Sequence, residues 1–242
     1  MRIIPGFLFI VLATAAVTGE RIDTLQEVLA FHQKALGEPL QGIQLELLIN
    51  EPAFSVSARY QASRDSGMRI DVYADEERVF SEGFDGVSSW QWPHGATEPT
   101  GVTEDGNAAL RRGMVNNLYG LHERPALGYE LCYEGYKTLD DVRYWQVTST
   151  APDGFSETFY INVETGLIDR KVEFSALHPD LDPAKRESLT LFSNYRWLGS
   201  RRFSFGSEKL DAKSGEPLSQ VTIVSAIADP TLPADTFTAR LL

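Results

Sequence analysis

The stretch Gly67–Trp92, GMRIDVYADEERVFSEGFDGVSSWQW, alternates apolar and polar residues and leaves room for little except tight turns between its runs. Met68, Ile70 and Val72 fall on one side, and Arg69, Asp71 and Tyr73 on the other. Successive strand side chains point to opposite faces, so this pattern predicts an antiparallel meander with one apolar face. Asp75-Glu76-Glu77 supplies a polar turn, and the chain climbs back over Arg78–Phe84. Asp85-Gly86 reads as a two-residue type I′ turn, whose central positions both need φ > 0. The third run ends in Trp90-x-Trp92, and Pro93 closes it because it lacks the N–H that a ladder requires. A chain built this way must bury its apolar face against something.

The same alternation recurs on both sides of this stretch. Ile43, Leu45, Leu47 and Ile49 form one strand face, and Phe54, Val56, Ala58 and Tyr60 another. Further strands are predicted from Leu127 to Tyr133, Val142–Thr150, Phe155–Val163, Leu167–Ala176, Leu189–Leu198, Arg201–Leu210 and Leu218–Ala228. The polar segment HPDLDPAKR, 178–186, reads as a loop. Its Asp180 and Asp182 lack a third ligand and read as solvated carboxylates. Two helices are expected. One spans Asp23–Leu36, opened by the capping box Thr24-x-x-Glu27 and stopped by Gly37 and Pro39. The other spans Glu104–Leu121, with Leu110, Met114, Leu118 and Leu121 on its apolar side. Gly106, Gly113 and Asn116-Asn117 weaken that second helix, each Gly by ~1 kcal/mol relative to Ala. It must be held by packing, as a lid that can move or as a fixed plug. The expected fold class is mainly β: one large antiparallel sheet of roughly eleven strands with two helices.

Met1-Arg2 followed by the apolar run Ile3–Val17 and small residues is a secretory signal pattern, with cleavage after Gly19 or Ala15. An uncleaved N-terminal anchor is the alternative. Residues 1–19 are therefore set aside as a signal peptide, 20–242 as a single domain, and the expected address is periplasmic. The net charge of −12 over 242 residues argues against nucleic acid and against an anionic membrane surface as electrostatic partners. Cys132 has no second cysteine to pair with and reads as a small hydrophobe on a strand. His32, His94, His122 and His178 are widely spaced, with no metal-ligand spacing, and His32 reads as a packed or boundary helix residue. No G-x-S-x-G elbow, P-loop or G-x-G-x-x-G is present. A monomer without catalysis, metal or cofactor is expected.

Several short motifs together resemble the LolA-like superfamily of periplasmic lipoprotein carriers: Arg69-Ile70-Asp71, Phe84-Asp85-Gly86-x-x-x-Trp90, Tyr160-Ile161-Asn162 with Glu164-Thr165-Gly166-Leu167, and Leu232-Pro233-Ala234-Asp235-Thr236-Phe237. That resemblance implies a curved sheet forming an unclosed β-barrel, with helices on the concave side and an apolar cavity between them. It implies acyl chains of lipids or lipoproteins as ligands, and membrane-bound donor and acceptor proteins as partners. Arg69 matches the position that holds the lid helices. The candidate cavity residues are Leu45, Leu47, Ile49, Val56, Ile70 and Val72 of the sheet, with Leu110, Met114 and Leu118 of the second helix. Two helices of about four turns look too few to cover so many strands, which favours a residual cavity; close packing of the apolar faces is the competing outcome. A regulatory module that senses envelope components on the same fold is the alternative function.

Overall fold

The structure is a computed structural model that describes residue 22 and residues 24–239, so the predicted signal peptide, 1–19, lies outside the described residues. Thirteen strands form one antiparallel sheet. They are β1 (Gly42–Glu51), β2 (Phe54–Ser63), β3 (Gly67–Ala74), β4 (Glu77–Phe84), β5 (Ser89–Pro93), β6 (Thr100–Gly101) and β7 (Glu130–Leu139). The remainder are β8 (Val142–Thr150), β9 (Ser156–Asn162), β10 (Ile168–His178), β11 (Asp182–Leu198), β12 (Arg201–Asp211) and β13 (Pro217–Ala228). The first six step outward from β1 to one edge, β6, and the last seven return from the other edge, β7, to β13. Antiparallel pairing of β13 with β1 joins the two meanders in the middle. The edges do not pair with each other, so the sheet stays open.

The link between the two edges is helical. α1 (Leu25–Leu36) precedes the sheet, while α2 (Glu104–Leu118) and a 3₁₀ helix (Leu121–Leu127) carry the chain from β6 to β7. The Thr24 capping box forms as expected: the Thr24 hydroxyl accepts from Glu27 N at 3.3 Å, and Glu27 Oε2 accepts from Thr24 N at 2.9 Å. Gly37 then ends α1 with φ 87°, a value that a side chain would oppose. Leu110 and Leu118 of α2 pack on Ile43, Leu45, Tyr60, Met68 and Phe84, covering the β1–β4 half. Val28 of α1 and Leu121 of the 3₁₀ helix pack on Trp145, Val147, Phe159 and Ile161, covering the β8–β9 half.

The sequence expectations need correction at several points. Thirteen strands form, not about eleven, and a third, 3₁₀, helix occupies what was read as the start of a strand at Leu127. Segment 178–186 is not a loop: Ala176 pairs with Lys185 and His178 with Asp182, leaving only a short turn. Beyond Ser188 the β11 ladder runs with β10 and no longer with β12, and the tip turns inward only Ala176 and the His178 ring, which packs on Phe80 and Glu82, too short a run to show as apolar alternation. Asp85-Gly86 opens a four-residue connection rather than a two-residue turn, with the Asp85 carboxylate accepting from Val87 N and Ser88 N. The two-residue turns with φ > 0 at both positions are Asp75-Glu76 and Asp140-Asp141. Cys132 lies on β7 as expected, but it is exposed and so does not pack as a hydrophobe.

Candidate ligand cavity

Because α1 and α2 cover opposite halves of the sheet, a strip over its middle strands is left without a helix. A cavity of about 560 Å³ lies there, with Leu45, Leu47 and Ile49 of β1, Ile70 of β3, Ile223 of β13 and Leu110 of α2 in its wall. The transition is visible along β1 alone. Ile43 is 0% and Leu45 3% exposed, whereas Leu47 and Ile49 are only half-buried. Five of the candidate residues named from the sequence therefore meet here: Leu45, Leu47, Ile49, Ile70 and Leu110. Leu118 is fully buried in the neighbouring core, and Met114 borders a different cleft on the far side of α2. Val56 pairs with Ile49, and Val72 with Ala58, itself paired with Leu47; both valines lie on the same sheet face but outside the wall.

The second cleft, about 1,050 Å³, separates α2 from the β9–β11 half of the sheet and is more charged, with Arg111, Arg112, Lys171, Glu173, Lys185 and Lys209 around it. α2 thus stands with space on two sides and is tethered at its ends. At the start, Asp180 Oδ1 accepts from Thr103 N at 2.8 Å, and Lys185 pairs with Asp105 at 2.7 Å. At the end, Arg64 Nη2 and Arg201 Nη1 both donate to the Leu118 carbonyl, at 2.6 and 3.3 Å. Cations suit this end of a helix, where unpaired carbonyls and the macrodipole meet. Asp180, read from sequence as solvated, is in fact the anchor for the first turn.

Arg69 takes no part in this tether. Met68 and Ile70 face the concave side, so the residue between them faces away. There it is 1% exposed, with Nε and Nη2 each 2.8 Å from a carboxylate oxygen of Asp71, and its guanidinium lies 5.3 Å from the Trp90 ring centroid. Trp90 Nε1 donates in turn to the Phe237 carbonyl at 2.9 Å, so the C-terminal segment covers this patch of the convex face. Among the described residues, the helix contact expected of Arg69 from the resemblance is absent from its surroundings, and the arginines that donate to the end of α2 are Arg64 and Arg201. No local pattern marks either one: Arg64 follows a strand end, and its ion-pair partner Glu123, 2.6 Å away, is 59 residues distant.

Between the two spaces runs a buried charged ladder. Glu157, 2% exposed, accepts from Lys171 at 2.7 Å and from Arg124 at 3.1 Å, and Asn116 of α2 donates to it at 2.9 Å. Arg124 also donates to the Asn116 side-chain oxygen. Lys171 and Lys209 each lie 2.6 Å from Glu173. Burial alone would raise the Glu157 and Glu173 carboxyls; Lys171, with Arg124 at Glu157 and Lys209 at Glu173, outweighs it and holds both below the usual carboxylate range. The ladder joins each buried carboxylate to cations and fastens α2 and the 3₁₀ helix to β9 and β10. Among the described residues, no group of three or more His, Cys, Asp or Glu is placed to hold a metal.

No protein-family model and no curated protein matches the sequence. Solved structures do share its architecture. A LolA superfamily protein from Nitrosomonas europaea superposes with TM-score 0.62 at 15% identity, covering 90% of this chain and 98% of that one. The fold is LolA-like. A DUF1329 family protein from Desulfovibrio piger superposes with TM-score 0.62 at 12% identity, covering 87% of this chain and 94% of that one. A Vibrio parahaemolyticus domain that bears the description outer membrane lipoprotein-sorting protein gives 0.56 at 9% identity, covering 88% and 95%. These structures match the open sheet and its helices along nearly the whole described chain; at such identities they speak for the fold alone.

Proposed function

We propose that this chain is a non-enzymatic carrier of the cell envelope that holds an acyl chain of a lipid or lipoprotein in its concave cavity, with α2 as the lid. One observation carries the reading: a cavity of about 560 Å³ lies between the apolar sheet face and a helix that docks through Leu110 and Leu118 and is held by polar contacts at both ends. That volume falls within the ~300–1,000 Å³ common for small-molecule sites. A packed core would leave no such space, since protein interiors fill theirs almost completely. The lipoprotein-sorting description of one relative agrees with this use of the fold. Net charge −12 opposes direct docking on anionic lipid and suits exchange through protein donors and acceptors in the periplasm. The test is native mass spectrometry of the exported protein followed by lipid extraction. Co-purifying acyl species are expected; a protein that is empty as isolated and stays empty with added lipid would refute the reading.

A further inference from the structure

The cavity wall has a polar sector that acyl-chain binding alone does not use. His32 of α1 is 0% exposed, and its Nδ1 donates to the Gly166 carbonyl at 2.6 Å. In the neutral ring Nε2 is then an acceptor, and it is buried in the cavity wall without a hydrogen-bond partner. Arg201 of β12 is 5% exposed in the same wall. It donates to the Leu118 carbonyl at 3.3 Å, and its ion-pair contact, Glu123 Oε2, is 3.9 Å away and already accepts from Arg64 at 3.1 Å. One guanidinium with donors to spare and one orphaned acceptor thus border the same space. Each is costly to bury unless something in the cavity answers it.

We propose that this sector is a head-group site for the carboxyl of a fatty acid, with Arg201 donating to one oxygen and His32 Nε2 sharing the carboxyl proton. The proposal rests on the acyl-chain reading and names the class of ligand. A carboxyl supplies what the wall lacks, an acceptor for the guanidinium and a donor for the imidazole, and charge assistance strengthens the pair. A phosphate dianion fits less well. It would ask for a second free cation, and of the other arginines and lysines in the wall Arg124 and Lys171 are committed to Glu157, while the Arg202 guanidinium lies over the Trp197 ring, 5.2 Å from its centroid. Burial lowers the His32 pKa to about 4, with the charges of Arg201, His122 and Arg124 adding to that against the Gly166 bond, so the empty site presents a neutral ring.

The test uses the delipidated full-length mature chain and three ligands with the same sixteen-carbon chain: palmitic acid, hexadecanol and methyl palmitate. Each displaces a fluorescent fatty-acid probe. The acid is expected to bind about tenfold or more tightly than the alcohol or the ester, as a charge-assisted pair would provide. His32→Asn retains a donor for Gly166 but removes the acceptor, and Arg201→Met removes the cation. Either change should shrink the preference for the acid, read as the ratio of acid to alcohol affinity within one and the same variant, so that any loosening of the α2 end through the lost Leu118 contact affects both ligands alike. Equal binding of all three ligands by the unmodified protein would overturn the head-group site and leave the carrier reading intact. Failure of all three to bind would sink both. The comparison on the unmodified chain decides the matter even where a variant does not fold.

Discussion

Two neighbouring leucine-type positions on β1 face the same side of the sheet and meet different surroundings. Ile43 is enclosed by core, whereas Leu47, four residues on, borders the cavity and is half-buried. A carboxylate at position 43 would be buried and unpaired, so Ile43→Glu should cost several kcal/mol, much of a total stability of roughly 5–15 kcal/mol. At position 47 the cavity lets water reach the charge. Leu47→Glu should stay folded, lose only about 1 kcal/mol, and weaken a fatty-acid probe more than tenfold. Urea midpoints beside probe titrations of both variants measure this; equal collapse, or normal probe binding by folded Leu47→Glu, would contradict it. Alternation in the sequence shows which residues share a face. It does not show where along that face packing stops, because that depends on where two distant helices happen to end. Alternation does set Arg69 on the face opposite Met68 and Ile70, but nothing local marks Arg64 and Arg201 as the two that hold a helix end.

At the scale of elements, α2 is a weak helix held by its tethers. Gly106 looks like a defect in the sequence, yet a Cβ there would come within 1.9 Å of the Asp180 carboxylate that anchors the first turn. The poor propensity and the anchor are linked. Amides of α2 should exchange with solvent well before those of β1 from Ile43 to Ile49, and should slow when a fatty acid is bound. Asp180→Ala removes a helix-start acceptor worth about 1 kcal/mol, so α2 exchange should rise roughly fivefold with β1 unchanged. Uniform, slow exchange in both elements would make α2 a fixed plug. The position of α2 was legible from Leu110, Met114 and Leu118, and α1 from its capping box. The β10–β11 tip was not legible, since the residues it turns inward, Ala176 and His178, are too few and too polar to read as an apolar alternation. Nor were the Asp75-Glu76 and Asp140-Asp141 turns readable as φ > 0 pairs, a conformation that usually selects Gly or Asn.

At the scale of the molecule, the closure of two meanders through β1 and β13 leaves no local mark, and neither does the charged ladder, whose members come from α2, the 3₁₀ helix and β9, β10 and β12. The ladder and the buried His32 shape the response to acid. His32 is lowered by burial from about 6.5 to about 4, so its contribution is present above the ordinary imidazole value and is lost as pH falls towards 4. That term is on the order of 3 kcal/mol. Glu157 and Glu173, held low by their lysine and arginine partners, add a loss that begins as pH falls through the ordinary carboxylate value and continues towards their lowered folded values. His178 works the other way: burial would lower it, but Glu82 at 3.2 Å raises it, so its smaller contribution is present at low pH and lost on going alkaline. Urea midpoints at pH 7, 5.5 and 4 should therefore fall in that order, and His32→Asn should flatten the upper step. A midpoint that rises from pH 7 to 5.5 would contradict the assignment of His32 as a buried neutral ring.

The central claim is that an acyl chain lies inside the concave cavity. It is tested most directly by photocrosslinking a fatty acid that carries a diazirine near its tail, then mapping the labelled peptides. Labels are expected on the peptides holding Leu45–Ile49, Val221–Ile223 and α2, and unlabelled fatty acid should compete them away. Labelling confined to the exposed apolar residues Phe174, Leu181 and Trp197, with none on those cavity peptides, would contradict the account.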